Sequence, residues 1–169
     1  MKSILFFVTL FSVFTACAQD KSQRPSPPAA VKETLKNGAT VSIDYSQPAV
    51  KGRSIGKDLE PLPGKVWRTG ANEATVFQVD KDVEIEGKKL PAGKYGLFTI
   101  ANGNDWTIIF NKTWNQWGAF DYKEADDALR VNVKADKAKE FAERMTFKIS
   151  KDGKVNLLWG DKDVDFKIK

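Results

Sequence analysis

The chain has 169 residues, 41% of them hydrophobic and 29% charged, with a formal net charge of +5. That balance is ordinary for a globular protein and excludes a disordered or low-complexity chain. Histidine is absent and cysteine occurs once, which excludes histidine triads, histidine general bases, the usual zinc and copper ligand sets and any disulfide within the chain.

Residues 1–18 read as a secretory signal peptide. Lys2 precedes the apolar run Ile4 to Phe14, a positive end and a short hydrophobic segment of the kind that export machinery recognises. The run is too short for a transmembrane helix, and no other stretch is long enough. Two processing routes compete. Cleavage after Ala16-Cys17-Ala18 would make Gln19 the new N-terminus. Alternatively Phe14-Thr15-Ala16-Cys17 is a lipobox and Cys17 carries a lipid, although Phe14 stands where an aliphatic residue is usual. The expected location is therefore the periplasm or the exterior, with a lipid anchor in the cell envelope as the alternative. Lys2 is the one charge removed with the signal, which leaves about +4 (5 − 1). Acidic and basic residues are interleaved and form no basic block, so no nucleic-acid partner is expected.

Residues 19–39 are polar and interrupted by Pro25, Pro27 and Pro28, and read as an extended leader. Residues 40–169 carry the pattern of one all-β domain of short antiparallel strands, sandwich-like or an open barrel, with little helix. Val41, Ile43 and Tyr45 alternate up to Pro48. Ala74 to Val79 is β-rich, and Val83 and Ile85 alternate before Glu86-Gly87-Lys88, which can turn the chain. Tyr95, Leu97 and Thr99 share a phase, as do Trp106, Ile108 and Phe110, with Asn102-Gly103-Asn104 as a hairpin signal between them. Leu129 to Val133, Phe141 to Ile149, Val155 to Trp159 and Val164 to Ile168 also alternate, and Asp152-Gly153 marks a hairpin turn. The period of two around Phe141 argues against a long helix over 135–144, and leaves room for a short helical turn at 136–139.

Most chemical motifs dissolve on inspection. Gly52-Arg53-Ser54-Ile55-Gly56 has the letters of a hydrolase nucleophile elbow, but no helix pattern follows and no histidine can take the serine proton. Lys51 and Lys57 are the remaining bases beside Ser54, and a glycine-rich surface turn explains the segment better. Asp161, Asp163 and Asp165 have calcium-like spacing without the glycine and glutamate of a calcium loop. They read as the solvated face of a strand whose Val164, Phe166 and Ile168 point inward. No metal and no cofactor are expected. Asn111-Lys112-Thr113 is a glycosylation sequon of little meaning in a bacterial-type export context.

Two segments carry more. Lys65 to Thr75 holds Trp67, Arg68, Asn72 and Glu73, and Asn111 to Tyr122 holds Lys112, Trp114, Trp117 and Tyr122. Each sets indoles beside amides and charged groups at strand ends, a combination that suits sugar rings, peptides or planar ligands. Together with Arg53 these are the candidate ligand-binding residues. The competing reading is structural: core indoles, and polar groups that tie loops together. Arg68 cannot lose its charge or lie unpaired in a core, and Glu73 is one available partner. The two loops are expected to lie close together.

The runs Tyr45 to Pro48, Lys51 to Arg53, KVWRTGANEAT (65–75), LPAGKYGLFTI (90–100) and NQWGAFDYKEADDALRVNV (115–133) resemble a family of exported proteins, mostly of the Bacteroidetes, catalogued as domain of unknown function 2911. The resemblance covers roughly residues 25 to 169. It implies a secreted β-rich domain and brings no activity with it. Leu59-Glu60-Pro61-Leu62-Pro63 departs from the family's usual approach to the Trp67 motif, which implies the loss of an aromatic contact there.

Three functions are compatible with these residues. The first is a periplasmic or envelope binding module for a glycan, a peptide or a protein partner. The second is a glycoside hydrolase using paired carboxylates such as Glu73 and Asp121. The third is a structural envelope protein without a small-molecule site. Convergence of Arg53, Trp67, Arg68, Asn72, Glu73, Lys112 and Trp117 on one concave surface would favour the first.

Overall fold

The computed structural model describes residues 21–169; the signal segment and Cys17 lie outside the described residues. Ten strands follow a 3-10 turn at Lys21–Gln23: β1 (Pro28–Thr34), β2 (Thr40–Ser46), β3 (Val66–Trp67), β4 (Thr75–Val79), β5 (Val83–Ile85), β6 (Lys88–Leu90), β7 (Gly93–Asn102), β8 (Asp105–Asn111), β9 (Asp127–Ile149) and β10 (Lys154–Lys167). The main antiparallel sheet runs β1-β2-β4-β7-β8-β9-β10, β3 adds to β7, and β5-β6 form a small second sheet. The sheet curls into a half-barrel, the open-barrel form of the expected all-β domain. No helix among the described residues is long and apolar enough to cross a membrane.

The hairpins sit where the turn residues require. Asn102 pairs with Asp105 around Gly103-Asn104. Ile85 pairs with Lys88 around Glu86 and Gly87, both with positive φ, the conformation that two-residue hairpins favour. Period-two alternation places Val41, Ile43, Phe77, Leu97, Ile108, Phe110, Val155, Leu157 and Phe166 in one buried core. Phe110 is its hub, meeting Phe77, Tyr95 and Phe166 edge-on at 4.9, 6.5 and 5.9 Å between ring centroids.

Three expectations need correction. The supposed leader is not free of the domain: Pro28–Thr34 pairs residue for residue with Thr40–Ser46 as β1. Pro28 stands at the first position of an edge strand, where its missing N–H costs no ladder bond, so proline here opens a strand rather than excluding one. The segments read as separate strands over 127–149 are one continuous strand, β9, with no helical turn at 136–139. Its first third pairs with β8 and the remainder with β10. Finally, Phe141 is exposed, although it shares its sequence phase with buried Met145 and Phe147. Two register shifts flank Gly160 in the β9–β10 ladder, and such bulges reset which side chains face inward.

The curl is held shut by the chain that follows β2. Val50 N–H donates to the Glu143 carbonyl at 2.9 Å, and Met145 N–H donates to the Pro48 carbonyl at 3.0 Å. The Phe147 N–H donates to the Tyr45 hydroxyl at 3.1 Å. This crossing from β2 to the middle of β9 carries the chain directly into the segment that forms one wall of the candidate site.

Candidate functional site

The segment after β3 is built around close backbone approach. Thr69 and Asn72 both have left-handed backbones, with φ of 53° and 58°, a conformation that is unfavourable for a β-branched residue such as Thr. Buried hydrogen bonds hold Thr69 there. Its hydroxyl donates to the Thr99 hydroxyl at 3.1 Å, and its carbonyl accepts from the Thr75 hydroxyl at 2.7 Å. Gly70 fits where a side chain would meet the Thr75 hydroxyl at 2.9 Å and the Ser46 carbonyl at 3.1 Å. The Trp67 indole N–H donates to the Gly70 carbonyl at 3.1 Å, which fixes the turn.

This strained turn presents Arg68 to a cleft of about 230 Å³ lined among others by Ser26, Arg53, Glu60, Trp67, Arg68 and Trp159. Trp67 is 2% exposed and stacks on Trp159 at 6.4 Å between centroids, so the indoles support the cleft and offer no open platform. The Trp159 N–H donates to the Glu60 carbonyl at 2.8 Å. Arg53 is locked from behind: its Nε and Nη2 donate to the Val50 and Ala49 carbonyls at 3.1 and 2.6 Å. Arg68 is different. Its Nε is buried and has no hydrogen-bond partner among the described residues. Burial pushes its guanidinium below the usual value, and the charge of Glu60 works in the opposite direction.

The expected pairing of Arg68 with Glu73 does not occur. Both carboxylate oxygens of Glu73 accept from Arg24 Nη1, at 2.8 and 3.0 Å, and Lys21 Nζ lies 3.2 Å away. Burial acts to raise this carboxyl, but its backbone hydrogen bond and the two cations outweigh it and bring it down to about 2. The Arg24 guanidinium also lies 5.9 Å from the Trp117 ring centroid, within cation–π range. Sequence patterning gave no sign of Arg24 in this role, because a leader carries no periodic signal for a contact 49 residues away.

The two loops do meet, as expected. Glu73 and Trp117 form a β-bridge, Gly118 N–H donates to the Asn72 carbonyl at 3.1 Å, and Ala74 N–H donates to the Gln116 carbonyl at 3.0 Å. The Asn72 side chain donates to the Ser26 carbonyl at 3.1 Å, which ties this junction to the rim of the Arg68 cleft. The other candidates lie apart. Lys112 and Trp114 line an open groove of about 680 Å³ with Lys94, Tyr95 and Asp127; Lys94 Nζ stands 5.0 Å from the Trp114 ring centroid. The Tyr122 hydroxyl donates to Asp127 at 2.8 Å and accepts from Arg130 at 2.6 Å. Burial, followed by the bond to Asp127, pushes this phenol up to about 12. The nine candidates thus divide: Arg53, Trp67 and Arg68 share the cleft, Asn72, Glu73 and Trp117 form its neighbouring loop junction, and Lys112, Trp114 and Tyr122 belong elsewhere. Glu60 and Trp159 complete the cleft and escaped the sequence reading, one within a proline-bounded linker and the other within a strand.

No curated protein and no solved structure matches the chain. The family model described as "Protein of unknown function (DUF2911)" matches residues 26–168. The match begins two residues before β1 and takes in Arg53, Arg68 and every strand, and the chain belongs to the DUF2911 family.

Proposed function

We propose that the protein is an exported binding module of the bacterial cell envelope and that the Arg53–Arg68 cleft is its ligand site. The observation that carries this reading is the buried, unpartnered Nε of Arg68. Leaving such a donor unsatisfied costs about 1–3 kcal/mol, and the strained turn at Thr69 holds the side chain in place despite that cost. A donor kept ready beside a second arginine suits a ligand that brings acceptors. The surrounding groups are two guanidiniums, one carboxylate, a serine and apolar surface, a set suited to recognition. Glu73, the carboxylate considered for hydrolysis, is held ionised by Arg24 and Lys21 and is a poor proton donor. The signal-like segment at 1–18 supports a location in the periplasm or outside the cell, with lipid attachment at Cys17 as the alternative processing.

The test compares wild type and Arg68→Ala on glycan and peptide arrays, with thermal melting of both. The proposal expects at least one array ligand that Arg68→Ala loses while its melting temperature stays level or rises. Absence of any ligand for wild type, together with a lower melting temperature for Arg68→Ala, would show the arginine to be a structural staple. Cell fractionation and mass spectrometry of the mature N-terminus test the location. Recovery of the protein in the cytoplasm with Met1 retained would refute export.

A further inference from the structure

We infer that the group recognised in this cleft is a single carboxylate carried on an apolar body about the size of one residue. The inference rests on the reading of the cleft as a ligand site and is argued from its donors, its charge, its volume and its walls.

Two arginines line the space. Arg53 spends Nε and Nη2 on backbone carbonyls, which fixes its orientation and leaves Nη1 without a hydrogen bond among the described residues. Arg68 brings the buried Nε that has no partner. A planar fork of N–H groups matches the two oxygens of a carboxylate or two oxygens of a phosphate. Charge distinguishes these oxyanions. Arg53, Arg68 and Glu60 line the cleft and sum to +1 at neutral pH (2 − 1). A monoanion balances that sum, whereas a dianionic phosphate overshoots it and is repelled by Glu60 in a half-buried setting where charges are poorly screened.

Size and polarity define the rest of the ligand. The cleft holds about 230 Å³, less than the roughly 300–1,000 Å³ of sites that enclose a whole drug-sized molecule. It takes a small molecule or the end of a larger one. Pro48, Leu59 and Ala71 add apolar walls, so the atoms next to the carboxylate are apolar. A free small organic acid and the C-terminus of a peptide both present this chemistry.

Isothermal titration of the full-length protein separates the outcomes. The probes are 3-methylbutanoate for the free acid, N-acetyl-leucine for a peptide end, N-acetyl-leucinamide as its uncharged counterpart, and inorganic phosphate. Loss of a charge-assisted contact weakens binding by about tenfold or more. That is the expected loss from N-acetyl-leucine to its amide, and from wild type to Arg68→Gln, with partial recovery in Arg68→Lys. Stronger binding of N-acetyl-leucine than of 3-methylbutanoate assigns the site to peptide ends, and the reverse assigns it to free acids. Glu60→Gln raises the cleft to +2 and is expected to strengthen phosphate binding more than carboxylate binding. Equal binding of acid and amide, or phosphate bound above both acids in wild type, overturns the carboxylate and leaves the cleft as a site. Carboxylates bound undiminished by Arg68→Gln overturn the cleft itself. No binding of any acid also overturns the carboxylate; an array ligand still lost in Arg68→Ala then preserves the wider reading.

Discussion

Arg24 joins two loops through one side chain: it holds the Glu73 carboxylate at 2.8 Å and lies over the Trp117 ring at 5.9 Å. Trp117 remains 54% exposed, so the arginine covers only part of the indole. The contact lies at the end of the segment that carries β1, and it fastens the start of the described chain to the loop junction beside the cleft.

The Glu73 cluster makes stability depend on acid. Its carboxyl stands at about 2 in the folded protein against an ordinary 4.5. A depressed carboxyl contributes stability that is present above the ordinary value and is lost as pH falls through the folded value. Because Glu73 is 40% exposed, solvent screening limits the effect to on the order of 1 kcal/mol. Glu73→Gln should therefore unfold at lower urea near neutral pH, and its deficit should vanish as pH falls from about 5 to about 2. A deficit that stays constant across that range, measured by tryptophan fluorescence, would show that the carboxylate's charge is not responsible.

The segment before Thr40 is expected to be part of the folding unit. A chain beginning at Thr40 loses all seven paired positions of β1, the Arg24 contacts and buried Leu35. Loss of one buried leucine side chain alone costs about 2–5 kcal/mol, a large share of the roughly 5–15 kcal/mol that holds a domain together. This chain should lack a cooperative urea transition, and one beginning at Gln19 should keep it. Coincident transitions for the two would mean that β1 is dispensable.

Gly153 is expected to tolerate no side chain. It turns the β9–β10 hairpin with φ of 87°, and an added Cβ would collide with the Ile168 backbone carbonyl. The same residue bonds at both ends: its N–H donates to the Ser150 carbonyl and its carbonyl accepts from the Ile168 N–H, each at 2.8 Å. Gly153→Ala should cost about 3 kcal/mol, since left-handed strain of 1–3 kcal/mol adds to the clash. Gly103→Ala is the comparison, because its positive φ is similar but no atom lies within 4 Å of the new Cβ. Equal losses for the two would place the whole cost in the backbone conformation.

What the sequence reveals here follows the range of the interactions. Asn102-Gly103-Asn104 and Asp152-Gly153 announce their hairpins because turn chemistry is local, and Val41, Ile43 and Tyr45 announce a strand because one face is buried. The meeting of the loops around Glu73 and Trp117 is foreshadowed by their shared mix of indoles and polar groups. Three features are not readable in this way. Phe141 faces solvent because bulges in its own β9–β10 ladder reset its phase. Glu73 takes Arg24 in preference to Arg68, which is nearer in sequence but lines a different cavity. Trp159 reads as an ordinary strand residue, and its bond to the Glu60 carbonyl spans 99 positions of sequence, beyond the reach of local patterning.

The closure of β2 on β9 has a temporal consequence. Arg144 reaches the Pro25 carbonyl across 119 positions of sequence, and the Glu143 carbonyl receives the Val50 N–H. Such long-range pairings form slowly, because a large loop must close before they contribute. A growing chain cannot complete this seam until most of β9 has left the ribosome. Until then the strands up to β8 can pair with one another, but the seam that closes β2 onto β9 is missing. A seam that closes late agrees with the proposed export, since a secretion channel passes a chain that has not finished folding.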